Sequence, residues 1–84
     1  MSRQRSMEVI EVAEYVTIGE LVRLTGARYS TLKFYTEEGM LPFEQAGETL
    51  TRRYRREKSI ARIQHIRELR GQGRTVPEIK ELLK

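Results

Sequence analysis

Two glycines, Gly26 and Gly39, constrain this chain more than any other feature, because the stretch between them has room for one short helix only. Glycine tolerates the left-handed conformation that commonly follows a helix end. One helix is therefore predicted to stop at Gly26 and a second, begun a few residues later, to stop at Gly39. Leu32 and Tyr35, with Phe34 beside them, take the i, i+3 spacing of a packing face. Arg28, Tyr29, Ser30, Thr31 and Lys33 crowd the start of the second helix with hydrogen-bond donors and positive charge. Helix, tight turn and short helix with a basic N-terminal end is the layout of a helix-turn-helix. In that motif the second helix enters the DNA major groove and its first residues meet base edges. An ordinary helical hairpin shares the local pattern, so the rest of the chain decides.

Eighty-four residues make one small domain with a thin core. The formal net charge of +4 suits a polyanionic partner, but the distribution of charge is more informative. Nine of the sixteen Lys and Arg residues lie between Arg52 and Arg74, opposed there only by Glu57 and Glu68. There is no Cys, which excludes disulfides, thiolate metal sites and cysteine nucleophiles. With no Asp and one His as well, little material exists for a catalytic or metal site, and neither an enzyme nor a cofactor is expected. No apolar run approaches the roughly 20 residues of a membrane span, and Met1 to Ser6 lacks the apolar segment of a secretory signal. A soluble intracellular protein is expected.

Met1 to Ser6 reads as a mobile basic tail. From Glu8 to Val16, Val9, Ile10, Ala13 and Val16 fit a helical face with Glu8, Glu11 and Glu14 on another side, while β-branching leaves a strand open near Tyr15 and Val16. This acidic segment should face away from nucleic acid and pack on the domain or on a second copy. Thr17 to Glu20 is a capping box that opens a helix from Ile18 to about Thr25, with Ile18, Leu21, Val22 and Leu24 inward. The next helix runs from about Tyr29 to Glu38, and Arg28 occupies its cap position, where Ser, Thr, Asp or Asn would cap better. Leu41-Pro42-Phe43 begins an extended piece, Glu44 to Glu48 a loop, and Thr49 to Tyr54 a returning strand. That hairpin would carry Arg52, Arg53, Arg55 and Arg56 as a wing along the sugar-phosphate backbone, with nothing acidic nearby to neutralise it. A third helix is predicted over roughly Glu57 to Arg70, burying Ile60, Ile63, Ile66 and Leu69, with His65 at the boundary of that stripe. Thr75 to Glu78 is a second capping box, and the last helix should turn Val76, Ile79, Leu82 and Leu83 inward. Lys84 ends the chain inside that helix, the pattern of a module normally followed by something longer.

These signals occur in a familiar order. The segment Tyr15 to Gly26 resembles the opening of the mercury-resistance-regulator (MerR) family of bacterial transcription factors. Thr31-Leu-Lys-Phe-Tyr35 followed by Gly39-Met-Leu-Pro42 is similar to that family's recognition helix and its exit, Arg52-Arg-Tyr54 to its wing, and Thr75 to Leu83 to its fourth helix. The resemblance covers about Tyr15 to Lys84 and implies a mainly α winged helix-turn-helix with four helices and a short β-hairpin wing, behind an N-terminal extension over residues 1–14. It implies that Arg28, Tyr29, Ser30 and Thr31 face bases and that Lys33 and Tyr35 meet backbone or bases. Arg52 and Arg53 would then lie on phosphates, Tyr54 would contact backbone or anchor the wing, and Arg74 would fall in a second wing. Three departures stand out: Thr36 replaces a common glutamate, with Glu37 adjacent as a substitute ion-pair partner for a wing arginine; Arg28-Tyr29 replaces a common Ser-Pro start; and the long dimerising helix and any effector domain are absent.

The expected function is sequence-specific binding of operator or promoter double-stranded DNA for transcriptional control, with RNA polymerase a partner by family analogy and a bacterial cytoplasmic, nucleoid-associated location. A homodimer through residues 8 to 16 stays open. Two other readings stay open beside it: an excisionase-like architectural DNA-binding protein, and a protein-interaction module using the apolar N-terminal segment.

Overall fold

The computed structural model describes residues 5–45 and 51–84. Among these residues the order is α1 (Met7–Ile10), β1 (Tyr15–Val16), α2 (Ile18–Thr25), α3 (Tyr29–Glu37), β2 (Glu44–Gln45), β3 (Arg52–Arg55), α4 (Arg56–Gly71) and α5 (Val76–Leu82). The three strands form one antiparallel sheet in the order β1-β3-β2, which is a winged helix-turn-helix. Tyr15 pairs with Arg55 and Val16 with Tyr54 on one side of β3, and Glu44 pairs with Arg53 and Gln45 with Arg52 on the other.

Local chemistry sets the helix boundaries. The Thr17 hydroxyl accepts from the Glu20 N–H, while the Thr17 N–H donates to the Glu20 carboxylate, so both arms of the capping box are closed. Thr75 and Glu78 repeat the arrangement at the start of α5. At the other end of α2, Gly26 has φ +73° and donates to the Val22 carbonyl, and Gly39 takes φ +76° after α3. A Cβ at either glycine would meet nothing within 4 Å, so the requirement there is backbone conformation and not space.

The core is a single cluster. Ile10, Leu21, Leu32, Leu41, Tyr54, Ile63, Ile66 and Ile79 are all fully buried in it. Along α4 the buried positions are Ser59, Ile63, Ile66 and Leu69, with Ile60 only partly covered. Ile63, Ile66 and Leu69 are buried as predicted, and Ser59 takes the place of Ile60 because a helix turns every 3.6 residues and not every three. In α5, Ile79 is buried and Val76 and Leu83 partly so, whereas Leu82 is 50% exposed and does not turn inward as predicted.

The N-terminal segment departs furthest from its expected form. A helix over Glu8 to Val16 does not form: α1 is a single turn and Val9 is exposed, while Tyr15–Val16 takes the strand that β-branching left open, because β3 offers its backbone as a partner. Arg5 and Ser6 are anchored and not a mobile tail, while residues 1–4 lie outside the described residues. The Ser6 hydroxyl caps α1. Arg5 donates through Nε and Nη2 to the two Glu20 carboxylate oxygens at 2.7 and 2.6 Å, and through Nη2 to the Tyr15 carbonyl at 3.0 Å. The Arg23 guanidinium in turn donates to the Arg5 carbonyl at 2.6 Å. The extension is thereby strapped across the first turn of α2.

Hydrogen bonding from Arg5 holds the Glu20 carboxyl below its ordinary value of 4.5, and the bonds from Thr75 do the same to Glu78. For both groups the unfolded chain binds protons that the folded one refuses, so their stabilisation is present above pH 4.5 and is lost as pH falls through the folded values. Glu20→Gln is expected to destabilise the chain by about 1–2 kcal/mol at neutral pH, the lower end applying because water screens the half-exposed Arg5. Thermal melts from pH 7 down to 3 should show the difference between wild type and variant shrinking with acid. A constant difference would mean that the charge on Glu20 is immaterial.

Candidate nucleic-acid interface

The site is built on α3 and on the strand that follows it. Arg28 is the N-cap of α3 in extended conformation, and no side chain caps that end. The first amide N–H groups therefore point outward beside the side chains of Arg28, Tyr29, Ser30 and Lys33, all of them exposed, with Thr31 half-buried. No acidic residue lies in the first turn. The helix dipole, Arg28 and Lys33 all favour an anion at this end.

The wing is held to α3 by buried tyrosine chemistry. The Tyr54 side chain is wholly buried and its hydroxyl lies 3.0 Å from that of Thr36, which is itself 2.8 Å from the Leu32 carbonyl. The Thr36 proton goes to Leu32, so Tyr54 donates to Thr36. Thr36 thus does by hydrogen bonding what an ion pair was expected to do, and Glu37 joins no ion pair among the described residues. Tyr35 is also in the core, at 4% exposure. Both tyrosines nevertheless border the front of the site: Tyr35 lines a cleft with Ser30 and Thr31, and Tyr54 lines one with Tyr29, Lys33 and Arg52.

The arginine run of the wing divides. Side chains alternate across a strand, so Arg52 and Tyr54 turn to one face and Arg53 and Arg55 to the other. Arg52 stacks on the Phe43 ring at 4.8 Å and lines a cleft with Thr17, Tyr29 and Lys33. Arg53 faces the opposite side, toward α4 and β1. Arg55 and Arg56 are not a free basic arm. Arg55 is 3.8 Å from Glu14 and 3.5 Å from Glu44 and lies over the Tyr15 ring, while Arg56 donates to the Ala13 carbonyl at 2.8 Å. The predicted loop over Glu44 to Glu48 is likewise replaced at its start, since Glu44–Gln45 is strand β2; Ala46 to Glu48, and the predicted strand residues Thr49 and Leu50, lie outside the described residues.

Arg74 lies in the turn between α4 and α5, 4.0 Å from Glu78. Sequence reasoning passed over Arg70. At the last turn of α4, it lines a cleft with Ser30, Thr31 and Phe34, beside the first turns of α3. Its signal was present in the sequence as an arginine off the buried stripe, but only the cleft it shares with α3 distinguishes it from Arg62 or Arg67. Arg67 instead donates to the Thr25 carbonyl at 3.1 Å and steadies the turn between α2 and α3. His65 is exposed, and no group of three His, Cys, Asp or Glu residues able to hold a metal occurs among the described residues.

A family model described as the MerR HTH family regulatory protein matches residues 16–84. The chain belongs to the MerR helix-turn-helix family. It is a DNA-binding fold of transcription regulation, and this agrees with the resemblance read from its motifs. No curated protein and no solved structure matches it. Among the described residues, no helix is long and apolar enough to cross a membrane.

Removing either hydroxyl of the Tyr54–Thr36 pair should be felt in stability. Tyr54→Phe is expected to cost about 1 kcal/mol, and Thr36→Val more, up to about 3 kcal/mol, because it leaves the tyrosine donor buried without an acceptor. In denaturant titrations the double variant should lose less than the sum of the singles. Strict additivity would show that the two hydroxyls do not interact.

Proposed function

We propose that this chain is a sequence-specific double-stranded DNA-binding transcription regulator that reads the major groove with α3 and holds phosphates with its wing. The observation that carries this reading is the meeting of Tyr29, Lys33 and Arg52 around one cleft. Base reading needs short donors at the front of a helix, and phosphate anchoring needs cations flanking it. Arg28, Tyr29, Ser30 and Thr31 are the base-facing set. Lys33 and Arg52 on one side, and Arg70 on the other, are placed to straddle the helix as it lies in the groove. Arg53 and Arg74 have a lesser part in this arrangement, since Arg53 turns toward α4 and β1 and Arg74 lies in the turn after α4, 4.0 Å from Glu78. The DNA bound is operator or promoter DNA, with RNA polymerase reached there and the bacterial cytoplasm as the setting.

Selection from random duplex DNA tests the proposal and returns the site, its symmetry and its half-site spacing together. Enrichment of a defined motif is expected, and failure to retain any duplex at about 50 mM salt would remove the reading. Arg52→Ala should weaken binding to all sequences and reduce the slope of log affinity against log salt by about one unit, with Arg53→Ala changing it less. Equal slopes for the two variants would contradict the division of the wing. Replacing Tyr29 or Ser30 should alter base preference more than total affinity; equal losses on selected and random duplexes would count against direct readout at the front of α3.

A further inference from the structure

The wing has a second face, across β3 from the cleft that α3 borders. There a cleft of about 590 Å³ opens between the wing and α4, with Pro42, Phe43 and Ala61 in its lining and Arg53, Lys58 and Arg62 around it. That volume falls within the range of roughly 300–1,000 Å³ typical of small-molecule sites. The Phe43 ring is 36% exposed, an apolar surface left open beside the start of the wing.

The charge around this cleft is mostly of one sign. Arg53, Arg55, Lys58 and Arg62 border it against a single carboxylate, Glu44, which Arg55 already engages at 3.5 Å. The side chains of Arg53, Lys58 and Arg62 make no hydrogen bond or ion pair among the described residues. Cations gathered around a concave apolar wall focus their field and attract an anion more strongly than the same cations spread over open surface.

A polar group in the same cleft points to a ligand independently of the charge. Ser59, in the first turn of α4, borders the cleft and is only 3% exposed. Its hydroxyl makes no hydrogen bond among the described residues, yet no polar side-chain atom there is both unpartnered and sealed from solvent. The hydroxyl therefore opens onto the cleft, with a proton to donate and no protein group to take it. Apolar wall, unpaired cations and buried hydroxyl together select the occupant. The backbone of a duplex would use the cations and leave Pro42, Phe43 and Ala61 without a partner.

We propose that this cleft binds a small aromatic anion, its ring against Phe43 and Ala61 and its carboxylate, sulfonate or phosphate among Arg53, Lys58 and Arg62, with a hydrogen bond from Ser59. The inference stands apart from the DNA-binding reading, because Tyr29, Lys33 and Arg52 border a different cleft on the other face of the wing.

Titration of the whole isotope-labelled 84-residue chain with naphthyl phosphate, in the absence of DNA and followed by backbone amide shifts in NMR spectra, tests this. Expected is saturable one-to-one binding with a dissociation constant on the order of 100 μM, the shifts centred on Phe43, Ser59, Ala61 and Arg62. Inorganic phosphate and naphthol, each with half of the required chemistry, should bind at least about tenfold more weakly. Lys58→Gln together with Arg62→Gln should raise the dissociation constant at least about tenfold and Ser59→Ala about fivefold, while Lys33→Ala leaves it unchanged. Amide spectra of the ligand-free variants check that each keeps its fold. Shifts centred on Tyr29, Ser30 and Lys33, inorganic phosphate binding as tightly as the naphthyl ester, or affinity indifferent to the Lys58→Gln, Arg62→Gln pair would each overturn the proposal. So would a cleft that takes an acidic peptide and not naphthyl phosphate.

Discussion

The hydrogen bond from Tyr54 to Thr36 is the contact on which the working geometry of this domain depends. Tyr54 belongs to the wing and Thr36 to the recognition helix, and both are buried, so their hydroxyls have no water to turn to. A buried donor without an acceptor is costly, and here the acceptor is on the neighbouring element. The wing strand is therefore held at one distance and one rotation relative to α3. Its backbone is fixed at the same residue, where Val16 pairs with Tyr54. What results is a rigid relation between two surfaces that are far apart in sequence and must meet one duplex together.

With β3 fixed, the basic run from Arg52 to Arg56 is sorted by geometry. A strand has a period of two, so Arg52 follows Tyr54 to the α3 side while Arg53 and Arg55 leave it. Arg56, the first residue of α4, points back to the extension and holds the Ala13 carbonyl. Four arginines within five positions thus do different work: one beside the recognition helix, one on the far face, one neutralised by Glu14 and Glu44, and one tying down the N-terminal segment. Net charge alone measures none of this.

The extension shows how an acidic segment becomes part of a basic domain. Arg5 grips Glu20, Ile10 enters the common core, and β1 completes the sheet. Glu20 consequently serves the α2 cap and the strap at once. The first turn of α2, whose Thr17 borders the cleft of Tyr29 and Arg52, is steadied from behind by residues that read as a tail in the sequence.

The sequence by itself determined the starts of α2 and α5 and the ends of α2 and α3, because capping boxes and left-handed glycines act within a few residues of themselves, whereas α5 ends at Leu82 and not beyond Lys84 as expected. It also carried the family, through short motifs in the right order. Only the tertiary structure decided which side chains are free to meet a partner. Tyr35 and Tyr54 are almost wholly covered by the core, Arg5 looks loose until Glu20 is beside it, and Arg70 gains its position from the placement of the end of α4 beside α3. Each of these outcomes rests on contacts between residues distant in the chain, and local periodicity does not encode which distant surface will cover or uncover a given side chain.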